Sequence, residues 1–281
     1  MARIIAVALP KGGVGKTTTA VNLAASLAVA EQRTLLIDMD SFGASGLSLG
    51  FTEERIKAGI FEVFNFVTGL PSAIHRTELA FLDIVPANVQ SLQSEERLMR
   101  LAENRSILKN ALRGVAQQYD YVILDCPPVL RGMSTNALTA ADSVLLPVKS
   151  GHFSLDAVDK LFRYVDWLRD VANKSLEIEG ILLTMHEPNT RVTDITLREL
   201  QSRYRPHILQ SIIPKNTVLG EASFYGKPAV LYDVNSRGSV AYLALAREII
   251  SRQALRKAQS LLAGRHGLLT TTTKQFGQQG S

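Results

Sequence analysis

Eight residues carry the densest chemistry in the sequence: Lys11-Gly-Gly-Val-Gly-Lys-Thr-Thr18. Gly12, Gly13 and Gly15 let the backbone N–H groups around Val14 turn inward on a polyphosphate, and the helix that follows offers its positive end to the same anion. Lys16 is then placed to reach the β- and γ-phosphates, the Thr17 hydroxyl to ligate Mg2+, and Thr18 to complete the cradle. The common phosphate-loop spacing G-x-x-x-x-G-K-[ST] fails at its first position, where Pro10 stands. The spacing that matches is K-G-G-x-G-K-[ST], with Lys11 as an additional cation. A chance glycine-rich turn accounts for the glycines but not for their place between a strand and a helix.

A Mg2+-bound triphosphate needs carboxylates nearby, and two segments supply them. Tyr121-Val-Ile-Leu-Asp125 is an apolar run ending in an aspartate, the form in which a strand delivers a carboxylate to a metal shell. Asp38 and Asp40 close a second such run, two residues apart and so on one side of an extended chain. One of that pair is suited to orienting or deprotonating an attacking water, the other to supporting Mg2+. The bland alternative is a set of solvated strand-end carboxylates. Cys126 reads as a small buried side chain.

The elements that must position these residues alternate. Arg3–Leu9, Thr34–Asp38, Ala80–Val85, Tyr121–Leu124, Ser143–Val148 and Ile178–Thr184 read as strands, most of them continuous apolar runs as in buried parallel sheets. Helical patterns fill Lys16–Glu31, Ser106–Gln118, Leu155–Val171, Val192–Tyr204 and Ser239–Ala263. Strand–helix alternation predicts an α/β fold, a mostly parallel, twisted sheet with helices on both faces, and the Lys11–Thr18 loop after its first strand makes it a P-loop NTPase. No repeat and no interdomain linker interrupts it, so residues 1–264 are expected to form a single domain ending in a basic helix, and residues 265–281 a disordered polar tail.

Composition narrows the class. With 281 residues, 46% of them hydrophobic, the chain has ample material for one large domain. One cysteine excludes a disulfide framework or a cysteine-built cluster within the chain, and the five histidines show no metal-ligand spacing. No apolar run approaches the roughly 18 residues of a membrane span, and no signal peptide is evident. The chain reads as soluble and cytoplasmic. Its net charge of +5 is uneven: residues 201–281 hold only Glu221, Asp233 and Glu248 as acids, against a long series of lysines and arginines. Such asymmetry points to a polyanion, nucleic acid or an anionic membrane surface, with a solvated basic helix face as the alternative.

These residues resemble the ParA/MinD group of deviant-Walker ATPases, the ParA/Soj partition branch in particular. The resemblance rests on KGGVGKTTTAVNLAA at Lys11–Ala25, LLIDMD at Leu35–Asp40, YDYVILDCPP at Tyr119–Pro128 and NALTAADSVLLPV at Asn136–Val148. GILLTM at Gly180–Met185, IPKN at Ile213–Asn216 and GKPAVLYDVNSRGSVAY at Gly226–Tyr242 extend it, so that it spans about residues 2–250. It implies an ATP hydrolase of low intrinsic turnover whose homodimer sandwiches ATP, with Lys11 of each subunit reaching the phosphates held by the other. It also implies Asp40 as the residue governing water attack, Thr17, Asp38 and Asp125 around Mg2+, and Pro214 and Asn216 at the adenine. ATP-state dimers of the family bind DNA without sequence preference on the nucleoid, and a cargo-bound ParB-like protein stimulates hydrolysis. The cargo is a plasmid, a chromosome or a protein assembly.

The sequence departs from the family at several places. Asp40-Ser41-Phe42-Gly43 replaces an Asp-Pro-Gln-Gly run, and two positions where relatives carry DNA-holding arginines are Asn189 and Val218. A DNA surface would then be rebuilt from Arg191, Lys215, Lys227, Arg237, Arg247, Arg252, Arg256 and Lys257, since phosphate neutralisation needs cations but no particular sequence. Arg3 already opens the first strand, so no helix-turn-helix is expected before it. The alternative function is MinD-like switching on a membrane through the C-terminal helix, whose Ile250, Ala254, Leu255, Ala258, Leu261 and Leu262 form an apolar stripe. That stripe is diluted by alanine and lacks Trp and Phe, which favours packing on the domain. A small-molecule kinase on the same scaffold is a third possibility, while an iron-protein reductase would need a second cysteine.

Overall fold

The apolar runs and glycine breaks fold as alternating strands and helices in a computed structural model that describes residues 2–150, 152–188 and 190–276, with residues 152, 153 and 260–276 as backbone alone. In chain order the first half comprises β1 (Arg3–Val7), α1 (Lys16–Val29), β2 (Thr34–Asp38), α2 (Ala44–Leu47), α3 (Ile60–Phe64), β3 (His75–Arg76), β4 (Leu82–Val85), α4 (Leu92–Leu101) and α5 (Ile107–Leu112). The second comprises β5 (Tyr121–Asp125), α6 (Met133–Ala140), β6 (Ser143–Lys149), α7 (His152–Val171), β7 (Glu177–His186), α8 (Arg191–Tyr204), β8 (Ile208–Pro214), α9 (Val218–Phe224), α10 (Ala229–Tyr232) and α11 (Arg237–Phe276).

The strands form one eight-stranded sheet in the order β3-β4-β2-β5-β1-β6-β7-β8. Every neighbouring pair is parallel except β3 with β4. Side chains alternate between the two faces, as a period of two requires. Ile5, Val7 and Leu36 pack under α1 and α11, whereas Ala6, Leu35 and Ile37 pack with residues of α3 to α8. β1 lies at the centre, its connection to β2 running past β5 while β6 lies on its other side. That reversal of direction at the carboxyl ends of the strands opens the crevice in which α/β sheets take ligands. β2 and β5 are in register, so that Asp38 lies opposite Asp125 at this edge.

The expected α/β architecture is present, with differences in detail. Gly114 splits the helix expected over Ser106–Gln118 into α5 and a 3-10 turn at Ala116–Gln118, since glycine in a helix interior costs about 1 kcal/mol. β8 is a strand the sequence pattern does not announce, because Gln210 and Ser211 interrupt its apolar residues. Glu248 of α11 accepts both their N–H groups, at 3.0 and 2.8 Å. α11 runs on through Phe276; after Pro228 the sequence contains no proline that would stop it. Of the expected polar tail, residues 277–281 lie outside the described residues. Among the described residues no helix is long and apolar enough to cross a membrane.

Candidate functional site

The segment from Pro10 to Gly15 wraps the carboxyl end of β1 and delivers the chain into α1. Gly13 and Gly15 adopt left-handed backbone conformations, with φ of 68° and 86°, which glycine reaches without the Cβ penalty of other residues. Thr184, at the end of β7, donates its hydroxyl to the Val14 carbonyl at 2.8 Å and braces the loop from outside. Lys16 folds back over the loop, its Nζ donating to the Lys11 carbonyl at 2.9 Å. Burial lowers the Lys16 pKa, and the Asp125 and Asp40 charges oppose that lowering. Lys11 points elsewhere. Its Nζ donates to Ser154 Oγ of α7 at 2.9 Å, and burial together with the Lys149 charge lowers its pKa.

The three aspartates divide by surroundings. Asp38 is fully buried and accepts the N–H groups of Asp40, Ser45 and Gly46 at 3.2, 2.9 and 3.2 Å, so both its oxygens hold the turn after β2. Asp40, two residues beyond the strand end, is half-buried and caps the Phe42 N–H. Asp125 is also fully buried; Oδ2 accepts the Ser45 hydroxyl at 2.9 Å, while Oδ1 has no hydrogen-bond partner among the described residues. Burial raises the Asp38 carboxyl well above its ordinary range, and the Asp125 charge adds to that. The Asp125 carboxyl is pushed up to about 6 by burial, with the Thr17 and Ser45 hydroxyls pulling it back. Two crowded, desolvated carboxylates, with one open oxygen on the acid that interacts with Thr17, fit a divalent cation, which would supply the missing charge and take the open oxygen.

Beyond the loop, β8 and α9 wall a cavity of about 360 Å3 that Gly15 and Thr18 share with Pro214, Asn216, Leu219 and Tyr242. That volume is in the range of small-molecule sites. Asn216 Oδ1 accepts the Val218 N–H at 3.0 Å and so fixes the entry into α9, and the Tyr242 hydroxyl pairs with that of Thr19 at 3.1 Å. The phosphate loop, the three aspartates and the two base-pocket candidates thus meet at one edge of the sheet, although Asp38 serves the turn.

The cations proposed for DNA do not form one surface. Arg191 opens α8, Lys215 follows β8, and Lys227 and Arg237 flank α10, all exposed at the carboxyl edge. Lys215 pairs with Glu187 at 3.0 Å. α11 then runs from this edge to the opposite one, carrying exposed Arg247 and Lys257 with it. Arg252 pairs with Glu248 at 2.9 Å, and Arg256 binds both oxygens of Glu179, at 2.8 and 2.9 Å. Glu179 has a fully buried side chain and also accepts from Arg3 and from Ser143. Arg256 therefore fastens α11 to the sheet, as does Arg252 through the Glu179 carbonyl at 3.4 Å, its pair with Glu248 lying within α11 itself. Asn189 lies outside the described residues. Of the apolar stripe, Ile250 packs on the core beneath α11, Leu255 is exposed, and the side chains of Leu261 and Leu262 lie outside the described residues.

Sequence reasoning misses Ser45, Ser154 and Thr184, ordinary hydroxyl residues whose roles exist only once distant segments meet. Glu179 carries a visible signal, a charge inside an apolar strand, though nothing in the pattern names its partners.

Known proteins share both the fold and the phosphate-loop region. The family model described as an AAA domain matches residues 2–178. The chain is 41% identical over 250 residues to the chromosome partitioning protein ParA of Myxococcus xanthus, covering 89% of this chain and 88% of that one. It is 39% identical over 249 residues to the sporulation initiation inhibitor protein Soj of Bacillus subtilis, covering 89% and 98%. Among solved structures it resembles cobyrinic acid a,c-diamide synthase of Mycobacterium smegmatis with a bound ATP analogue and magnesium. The TM-score is 0.74 at 29% identity, over 88% of this chain and 93% of that one.

Proposed function

This chain belongs to the ParA/Soj family of P-loop partition ATPases, and we propose that it is a Mg2+-dependent ATP hydrolase whose ATP-bound homodimer holds DNA without sequence preference and positions a cargo. The observation that carries this reading is the division of labour between the two lysines. Lys16 lies across its own loop, whereas Lys11 of the same loop extends to another helix of the subunit. A cation directed away from its own loop is placed to serve the loop of a second subunit. There it would offset negative charge developing in phosphoryl transfer, as an arginine finger does.

The remaining residues take roles that their surroundings support. The loop N–H groups and Lys16 bind the β- and γ-phosphates, and the cavity at Pro214 and Asn216 receives the base. Thr17 and the open oxygen of Asp125 would hold Mg2+, whose charge would offset that of the phosphates and lessen their repulsion of an attacking water. Asp40, at the edge of the buried cluster, orients that water. Hydrolysis tied in this way to pairing of subunits makes the dimer a timed state, which a ParB-like partner on the cargo would shorten.

The test has two arms. With a non-hydrolysable ATP analogue the protein should sediment as a dimer and be retained on duplex DNA of arbitrary sequence, with affinity falling steeply as salt rises. With ADP it should be monomeric and released. A monomer in both nucleotide states ends the proposal.

A further inference from the structure

The phosphate loop, the base cavity and the three aspartates are absorbed by the reading above; Ser45 is not. It sits in the first turn of α2 and is fully buried. Its N–H donates to Asp38 Oδ2 at 2.9 Å, and its hydroxyl donates to Asp125 Oδ2, also at 2.9 Å. One residue thus clasps both buried acids, which face each other across the paired strands β2 and β5.

The bond to Asp125 has a directional consequence. A carboxylate at a strand end can rotate about its terminal bond, presenting either oxygen or both. A serine hydroxyl has a single proton, and here it goes to Oδ2. That holds one oxygen in place and leaves Oδ1 as the buried acceptor without a partner among the described residues. The clasp is itself rigid, because Asp38 receives the N–H groups of Ser45, Gly46 and Asp40 and so fixes the backbone from which the hydroxyl projects. Removing a hydrogen-bonded partner that orients a ligating side chain typically lowers metal affinity about ten- to a hundredfold.

We propose that Ser45 is a positioning residue for Mg2+: its hydroxyl sets the Asp125 carboxylate so that Oδ1 is presented to the cation beside Thr17. The proposal rests on the ATPase reading and adds to it a residue that touches neither nucleotide nor metal. It separates the two acids by task, Asp38 holding the turn that carries Ser45 and Asp125 facing the cation.

The experiment follows binding of a fluorescent non-hydrolysable ATP analogue to the full chain as Mg2+ is titrated, with a parallel titration in EDTA. In Ser45→Ala the Mg2+ concentration at half-saturation should rise by about tenfold or more, the range typical when an orienting partner is removed, while analogue affinity in EDTA stays at the wild-type value. In an Asp125→Asn background the same substitution should leave the Mg2+ requirement unchanged, since the serine acts only through that carboxylate. A purely structural serine would lower the melting temperature without moving the Mg2+ titration. Half-saturation within twofold of wild type, or an equal loss in the Asp125→Asn background, overturns the inference and leaves the ATPase reading intact. Wild-type binding that ignores Mg2+ overturns both.

Discussion

Arg256→Ala separates a fastening residue from one that binds DNA. Arg256 places one nitrogen 2.8 and 2.9 Å from the two oxygens of Glu179, a carboxylate with no exposed side-chain surface. Removing one member of a buried pair costs about 3–5 kcal/mol when the other is left alone. Here Glu179 keeps Arg3 at 2.9 Å and the Ser143 hydroxyl at 2.6 Å, and the Arg256 side chain is 31% exposed. The loss therefore falls to about 2 kcal/mol, the worth of a hydrogen bond to a charged group. For a domain of this size that is roughly a 4–8 °C drop in melting temperature. Glu179→Ala removes the buried acid that Arg3 and Arg256 share and leaves both to the exposed Glu177, at 2.9 and 3.8 Å, so it should cost about 3 kcal/mol, the lower end for a broken buried pair. The second measurement is the salt dependence of DNA binding in the ATP state. Removing a cation that neutralises one DNA phosphate lowers the slope of log affinity against log salt by about 0.9. Arg256→Ala should leave that slope unchanged. A slope reduced by about one with no change in melting temperature would refute the assignment and return Arg256 to the DNA surface.

Lys16→Ala should abolish ATP binding in equilibrium dialysis, because the phosphates lose the lysine folded over the loop. Asp40→Ala should bind ATP normally yet stall, so that dimers accumulate with ATP in sedimentation while phosphate release falls by about a hundredfold or more; normal turnover would remove Asp40 from its role. The third concerns acid stability. Burial raises the Glu179 carboxyl, but the Ser143 hydroxyl and the Arg256 and Arg3 charges outweigh it and hold the group below its ordinary value of 4.5. The stability it contributes is complete above that value and disappears as pH falls through the lower folded one. Denaturant unfolding between pH 6 and about pH 3 should show wild type losing stability faster than Glu179→Gln below about pH 4.5; parallel curves would mean that the carboxylate contributes nothing.

The phosphate loop was legible because its requirements are local. Glycines at left-handed positions, a lysine and a threonine opening a helix are all set within a few residues of one another. The parallel sheet was legible from continuous apolar strands for the same reason. What stayed hidden depends on register. Ser45 meets Asp125 only because β2 and β5 pair side by side, which brings together residues eighty positions apart. β8 escaped the pattern because its polar residues are satisfied by Glu248 of a helix near the far end of the chain. Arg252 and Arg256 looked like part of a basic face, since a sequence displays the charge of a helix without the acids packed against it.

That last point constrains how nucleotide state can govern DNA. Arg237 and Lys257 lie on one helix about 30 Å apart, from a rise of about 1.5 Å per residue, so they occupy opposite edges of the sheet. A change at the phosphate loop acts first on the edge where the loop lies. There, Lys215 lines the cavity walled by β8 and α9, Arg191, Lys227 and Arg237 lie on neighbouring segments, and Ser48, just after α2, joins Ser223 of α9 at 2.7 Å. At the other edge, α11 is clamped through Glu179 of β7 and through its own Glu248 on β8, and Lys257 lies far from the loop. The proposed ATP-controlled DNA binding would therefore draw on the carboxyl-edge set. The exposed Lys257, beyond Arg247, would respond to nucleotide only through the number of copies that a dimer brings together.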